Sequence, residues 1–455
     1  MNIPRAIVLS VVVFFAACVD GGTPSDAGSD AGPACPALTG VEVNHQDDIT
    51  TAVTWPGDGT VHRVLYDFTI RPGGSLTLSP CAVVKLPNNR VITLNGSPTQ
   101  PAKLISAGTE NQPVLITNAI DGGHWGALLG MGPTSTFDFS YTTLENGGGT
   151  SPGFSLDVRG NGAGQSAAVP VVRANHLTIK GSLMGTSLVL ESGAAFTADS
   201  TELTITGGGG GATVNNNSAL QLGPIAAGTL PKLNLSGNAR DQIQINAGYI
   251  SRDVTLKDLG APYYFYFDRV RVTDQTGAST PTLTLEPGVE LRFDDYLAVG
   301  FDNPGISSAP GKLIAVGTAT RPIVFTSSKV TRAAGDWPGI WLANAAGSRL
   351  ENVRIEYAGG ANSVSSSNCK PAGSTDNAAL FIGFPGYAYV PAASDFVSVQ
   401  IEASASHGIN SMWMLPSDLG PNLTAGFTFG ALNGCKQTRN RSTTACTVPL
   451  ACMVP

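Results

Sequence analysis

Among the acidic residues of this sequence, Asp294 and Asp295 make the most tempting chemical pair. Hydrolysis of a glycosidic bond needs two carboxyl groups about 5–10 Å apart, one on each side of the bond. Adjacent residues on a strand point to opposite faces, so the pair fits a solvated turn better than a catalytic dyad. A lyase that abstracts a proton beside a carboxylate needs calcium, held by converging acids, and an Arg or Lys base. The acids here are dispersed. The glycine run 207–211 lacks the following Lys-Ser/Thr of a phosphate cradle, and no Gly-x-Ser-x-Gly elbow occurs. No CxxC pair exists, and His45, His62, His124, His176 and His407 are scattered, which disfavours zinc. No catalytic residue, cofactor or metal ligand is assigned on these grounds.

Aromatic side chains offer a different chemistry, stacking on sugar rings. Trp341 should face outward, by alternation with Ile340 and Leu342, and Tyr263, Tyr264 and Tyr266 form a second cluster. These four are the expected ligand-stacking residues. Trp125 and Trp337 stand at equivalent places in an internal repeat and should pack in the core or a turn.

The N-terminus looks like an export signal. Arg5 precedes a stretch, residues 6–17, that is apolar apart from Ser10, and Phe15-Ala16-Ala17-Cys18 closes it. Twelve helical residues span about 18 Å, short of the roughly 30 Å hydrocarbon core, so a cleaved signal is favoured over a spanning helix. Small residues followed directly by Cys resemble a lipobox, with Phe15 where Leu is usual. That resemblance implies Cys18 as the lipid attachment, and Val19 after it leans toward the outer membrane. Residues 19–34 are mostly Gly, Ser, Asp, Ala and Pro and read as a solvated tether. Setting Cys18 aside leaves Cys35, Cys81, Cys369, Cys435, Cys446 and Cys452, an even number suited to disulfides in an exported chain. The expected pairing is Cys35 with Cys81, and the last four among themselves.

The elements that must carry these residues are strands. Hydrophobic residues make up 42% and charged residues only 13%, with 55 Gly and 30 Pro, which favours short strands and frequent turns over helix bundles. A net charge of −7 with no basic run argues against a nucleic-acid partner. The chain also repeats itself. KLISAGTENQPVLITN at 103–118 matches KLIAVGTATRPIVFTS at 312–327 in Lys, Leu, Ile, Gly, Thr, Pro and Thr. Residues 75–80 parallel 282–287, 144–148 parallel 356–360, and 52–54 parallel 253–255. Within each copy apolar residues alternate, as in Leu283, Leu285, Val289, Leu291 and Phe293, with Gly or Pro ending each run. Short one-sided strands too close for crossover helices predict a β-helix whose coils stack over a continuous core. Residues 170–250 share the texture and are read as further coils.

The runs 283–289, 313–319, 322–328 and 335–340, with Ser406-His407-Gly408-Ile409 and Asn433-Gly434-Cys435 near the end, are similar to bacterial right-handed parallel β-helix surface proteins. The likeness covers most of residues 50–450. It implies an all-β solenoid, and that fold hosts lyases, glycosidases and adhesins alike. His407-Gly408 resembles the His-Gly of polygalacturonase-like enzymes, but their other motifs are absent and Arg354-Ile355-Glu356 has Glu where Lys belongs, so His407 is read as structural. The expected organisation is a signal at 1–17, the lipidated Cys and tether at 18–40, a first block at 41–150, central coils at 151–252, and a second block with a stapled end at 253–455. The expected function is non-enzymatic adhesion or recognition at the cell surface, of carbohydrate or a surface protein, with the membrane reached through the lipid anchor. A polysaccharide lyase or glycoside hydrolase is the alternative, and its mark would be a groove on one face lined by converging acids and bases.

Overall fold

Alternation in the sequence becomes alternation in burial. In Ser75–Leu78, Val83–Leu86, Thr282–Leu285 and Glu290–Phe293 every second side chain is buried, and the Ser, Thr, Lys, Glu and Arg between them are only partly covered. One-faced strands of this kind are stable only when a neighbour covers the apolar side. The computed structural model describes residues 33–455 apart from 150–152, 161–168, 184–185, 192, 209–217, 267–268, 301–308, 362–376, 384–388, 412–420, 443–446, 450–451, 453 and 455. Cys18 and the signal region lie outside the described residues, as do Cys369 and Cys446.

The chain runs through Ala52–Trp55, Val61–Val64 and Phe68–Ile70, and then returns to the first of these with Ser75–Leu78. Val83–Leu86 pairs with Val61–Val64, and Ile92–Leu94 with Phe68–Ile70, so three strands make one coil and each stacks in parallel on its predecessor. The described strands fall into sheets of 12, 16 and 8 members. The antiparallel exception among them is Gln437–Ser442 with Thr447–Pro449, at the C-terminal end. The result is all-β, with long stacked parallel sheets, consistent with a parallel β-helix-like solenoid. The 170–250 stretch supplies further strands, Val171–Lys180, Thr186–Glu191, Glu202–Thr206, Lys232–Ser236 and Ile243–Ile245, each paired in parallel with a neighbour.

One inward row runs the length of the 16-stranded sheet. Phe68, Ile92, Leu128, Leu156, Leu188, Leu220, Ile243, Tyr263, Leu291, Phe325, Ile355, Ile401 and Phe429 are successive register partners. The row crosses from the first copy of the repeat into the second, and the core is correspondingly one continuous cluster. It also shows how the copies are joined. Ile92–Leu94 is the third strand of its coil, whereas Glu290–Phe293, which matches the second strand Val83–Leu86, sits in the same sheet. Equivalent residues of the two copies are therefore turned by one face of three about the stack. At the junction the short helix Pro224–Ala227 takes a strand's place, packed between Ala195–Phe196 and Gly248–Ile250.

Corners are made by single residues. Ser135–Glu145 and Val171–Lys180 bend from one face to the next at Tyr141 and His176, whose φ angles are 41° and 57°, and their rings stack with centroids 4.4 Å apart. Asn352 and Ser398 do the same in Arg349–Glu356 and Phe396–Glu402, with φ of 50° and 53°. Positive φ in non-glycine residues is uncommon and persists where the surroundings hold it. Here the coils on either side hold it. Disulfides close both ends: Cys35 pairs with Cys81, as expected, and Cys435 with Cys452.

Candidate ligand-binding depression

Three of the four expected stacking residues are buried and not available to a ligand. Tyr263 lies in the inward row, 1% exposed, and its hydroxyl donates to the Lys257 carbonyl at 2.9 Å. Trp341 does leave the strand away from the main core, yet it is 3% exposed. Its ring lies with Tyr296 and Phe381 in a separate apolar cluster, and its Nε1–H donates to the Gly383 carbonyl at 2.9 Å. Alternation gives the face a side chain leaves from and says nothing of what covers that face. The outward reading of Trp341 as a free stacking platform is thereby corrected.

The third, Tyr264, reaches toward an open depression only through Asp294, which it shares with the lining residue Ser328. Tyr266 is 40% exposed and meets the buried Tyr264 edge-on, with ring centroids 5.8 Å apart. Tyr264 donates its hydroxyl to Asp294, and the Ser328 hydroxyl donates to the same carboxylate. Burial, with Asp294 beside it, pushes the Tyr264 phenol well above its ordinary range. Asp294 is thus an acceptor in a network, while Asp295 takes the backbone N–H of Tyr296.

The depression beyond Ser328 has a volume of about 360 Å³, within the range of small-ligand sites. Four bases line it, Arg240, Arg292, Lys329 and Arg332, with Asp241, Gln242, Ser328 and Val330. Three stretches of chain bring them together. Arg240 to Gln242 lead into Ile243–Ile245; Arg292 points outward from Glu290–Phe293; and residues 328–332 follow Ile323–Ser327. The last stretch folds back over the sheet, because Arg332 reaches Glu290 at the start of the neighbouring strand.

Carboxylates brace the bases. Arg292 donates Nε–H to Glu290 Oε1 at 2.7 Å, and Arg332 donates from Nη2 to the same oxygen at 3.3 Å. Lys329 Nζ donates to Asp336 at 2.8 Å. Burial pushes the Asp336 carboxyl up, but Lys329, the Ala333 N–H and the Ser327 hydroxyl outweigh it and hold the group below its usual range. Gln242 is buried and donates to the Ser218 hydroxyl at 2.9 Å, whereas Val330 stands on the rim, 98% exposed. Such a site can hydrogen-bond and charge-pair with a polar ligand while Val330 gives it apolar contact.

A carboxyl raised by burial, as a general acid would need, occurs elsewhere on the same sheet. Asp157 is 3% exposed and paired with Arg159 at 2.8 Å. His407 accepts the Cys435 N–H at Nδ1, at 2.9 Å. Among the described residues no three His, Cys, Asp or Glu side chains gather as a metal would require. The basic wall was missed from sequence because its members come from three separate coils, and only Glu290 and Arg292 sit in an alternating run that marks them as outward. The chain matches no protein-family model, no curated protein and no solved structure.

Proposed function

We propose that this is an exported right-handed parallel β-helix, tethered to the cell envelope through a lipid on Cys18, that recognises a carbohydrate without turning it over. The observation that carries the proposal is the convergence of Arg240, Arg292, Lys329 and Arg332 with the exposed Val330 on one outer face. Sugars are recognised by planar and charged donors together with an aromatic or apolar edge, and this depression supplies both. Two disulfides support an oxidising compartment, and the lipobox-like end of the signal supports the anchor. The carboxylates at the site serve as braces for the bases, which favours binding over turnover.

The test is a polysaccharide array probed with residues 35–455, reading retained protein and released reducing or unsaturated ends together. Retention without release is the expected result. Release of ends would replace the proposal with a lyase or hydrolase, and absence of both would leave a surface protein as the partner. The anchor is checked separately: palmitate labelling of the full chain should vanish in Cys18→Ala.

A further inference from the structure

We infer that the depression selects an anionic saccharide, one bearing carboxylate or sulfate groups, and that Arg292 and Arg332 are the residues that grip it. This rests on the carbohydrate-binding reading above. Two guanidiniums share a single acceptor oxygen, Oε1 of Glu290. Each has five N–H donors, and the bonds to Glu290 occupy one from Arg292 and one from Arg332. Their side chains are 30% and 29% exposed, and among the described residues Glu290 is their one acceptor, so donors are left over for a ligand. An anion that offers two oxygens side by side is the ligand such forks suit, since two parallel N–H···O bonds match a carboxylate or one edge of a sulfate.

The neighbouring pair is oriented the same way. Lys329 is 60% exposed while its partner Asp336 is 6% exposed, so the base stands forward and the acid behind it. Arg240 adds a fourth base to the lining against one lining acid, Asp241. With Glu290 and Asp336 counted beside Asp241, the four bases leave an excess of one positive charge, on a chain whose net charge is −7. A polyanion would be repelled by most of the surface and drawn to this part of it, which turns general electrostatics into site selectivity.

The experiment titrates the mature protein with three size-matched oligosaccharides: an oligogalacturonate, a sulfated dextran and an unmodified dextran. The anionic probes should bind and the neutral one should not, with affinity falling at least tenfold between 50 and 500 mM NaCl; the ratio of the two anionic arms tells uronate from sulfate as the preferred group. The double variant Arg292→Gln, Arg332→Gln should lose at least tenfold in affinity with an unchanged circular dichroism spectrum. Lys329→Gln leaves the Glu290 cluster intact and should lose about threefold, so a folding defect in the double variant cannot decide the matter. Binding of neutral dextran as tight as the anionic probes, or anion binding untouched by all three substitutions, would overturn the inference and leave the carbohydrate reading standing. Failure of every probe to bind would overturn both.

Discussion

The two copies of the repeat share an interior and differ outside. Trp125 and Trp337 are both fully buried, and each donates its indole N–H to a backbone carbonyl, of Glu145 at 2.7 Å and of Glu356 at 2.8 Å. Val84 and Leu86 in the first copy match Leu291 and Phe293 in the second, all of them inward and buried. Outward, Val83 and Lys85 become Glu290 and Arg292, Pro87 becomes Asp294, and the connection from strand end to tryptophan lengthens from 118–125 to 327–337. Close-packed interiors penalise even a single added methylene, whereas an exposed position accepts most residues. Duplication therefore preserved the coil and left its outer face free to change. The depression is built from those changes: the Glu290–Arg292 pair and the longer connection that carries Lys329 and Arg332.

The tryptophans offer the largest effect by which to break this comparison. Each Trp→Ala change should destabilise by about 3–5 kcal/mol, from the cavity and the unpaired carbonyl together. If the interiors are equivalent, Trp125→Ala and Trp337→Ala should shift the urea midpoint by similar amounts. A small effect at one site and a large one at the other would show that the copies are alike in sequence only. Next in size is the staple. Replacing Cys35 and Cys81 with Ser should cost about 2–4 kcal/mol, and hydrogen exchange should place the loss at Glu42–His45 and Val61–Val64 while the second copy stays protected. Equal loss of protection throughout would mean that the stack unfolds as one unit.

A smaller effect tests the outer face. Tyr264→Phe removes one donor to Asp294 and leaves Ser328, so stability should fall by about 1 kcal/mol. Lys85→Gln, at the matching outward place of the first copy, should change neither stability nor glycan retention. Loss of retention in Lys85→Gln would move the site away from the second copy.

The inward half of this molecule was legible in the sequence because its signal is local. Leu283, Leu285, Leu291 and Phe293 announce strand, face and periodicity within a dozen residues, and the repeat shows that coils stack. The outer half depends on register. Arg240, Arg292 and Arg332 meet only because Ile243, Tyr263, Leu291 and Phe325 are successive rungs, and no local pattern carries that spacing. Trp341 failed for a related reason: the residues that cover it, Tyr296 and Phe381, lie on neighbouring coils. Cys35 with Cys81 was within reach, since both belong to the first stapled coils.

The last comparison is between the end of a stack and its middle. In the first copy the inward row Ile116, Val84, His62 has a histidine as its last buried rung, with the exposed Val43 beyond it, where the second copy has Phe325, Leu291 and Tyr263. His62 Nε2 donates to the Pro56 carbonyl at 2.9 Å, so its Nδ1 accepts, and His45 Nε2 donates to it at 3.1 Å. Trp55 stacks on both rings, at 3.9 Å and 5.2 Å. Burial, and then His62, lower the pKa of His45 from its usual 6.5 to about 4. A histidine whose folded pKa is depressed binds its proton more readily when unfolded. Its contribution is complete above about pH 6.5, is lost as pH falls from there toward 4, and levels off below. Because His45 is partly exposed, solvent screening reduces the loss to the order of 1 kcal/mol. Asp58, held below the usual carboxylate range by Thr60, acts only at lower pH and does not mask this window. Thermal melts at pH 7, 5.5 and 4 should therefore show an early acid loss of protection at the N-terminal coil and none around Leu291. His45→Gln should flatten the slope between pH 6.5 and 4. An unchanged slope in that variant would assign the acid sensitivity to another group and leave the histidine end as packing alone.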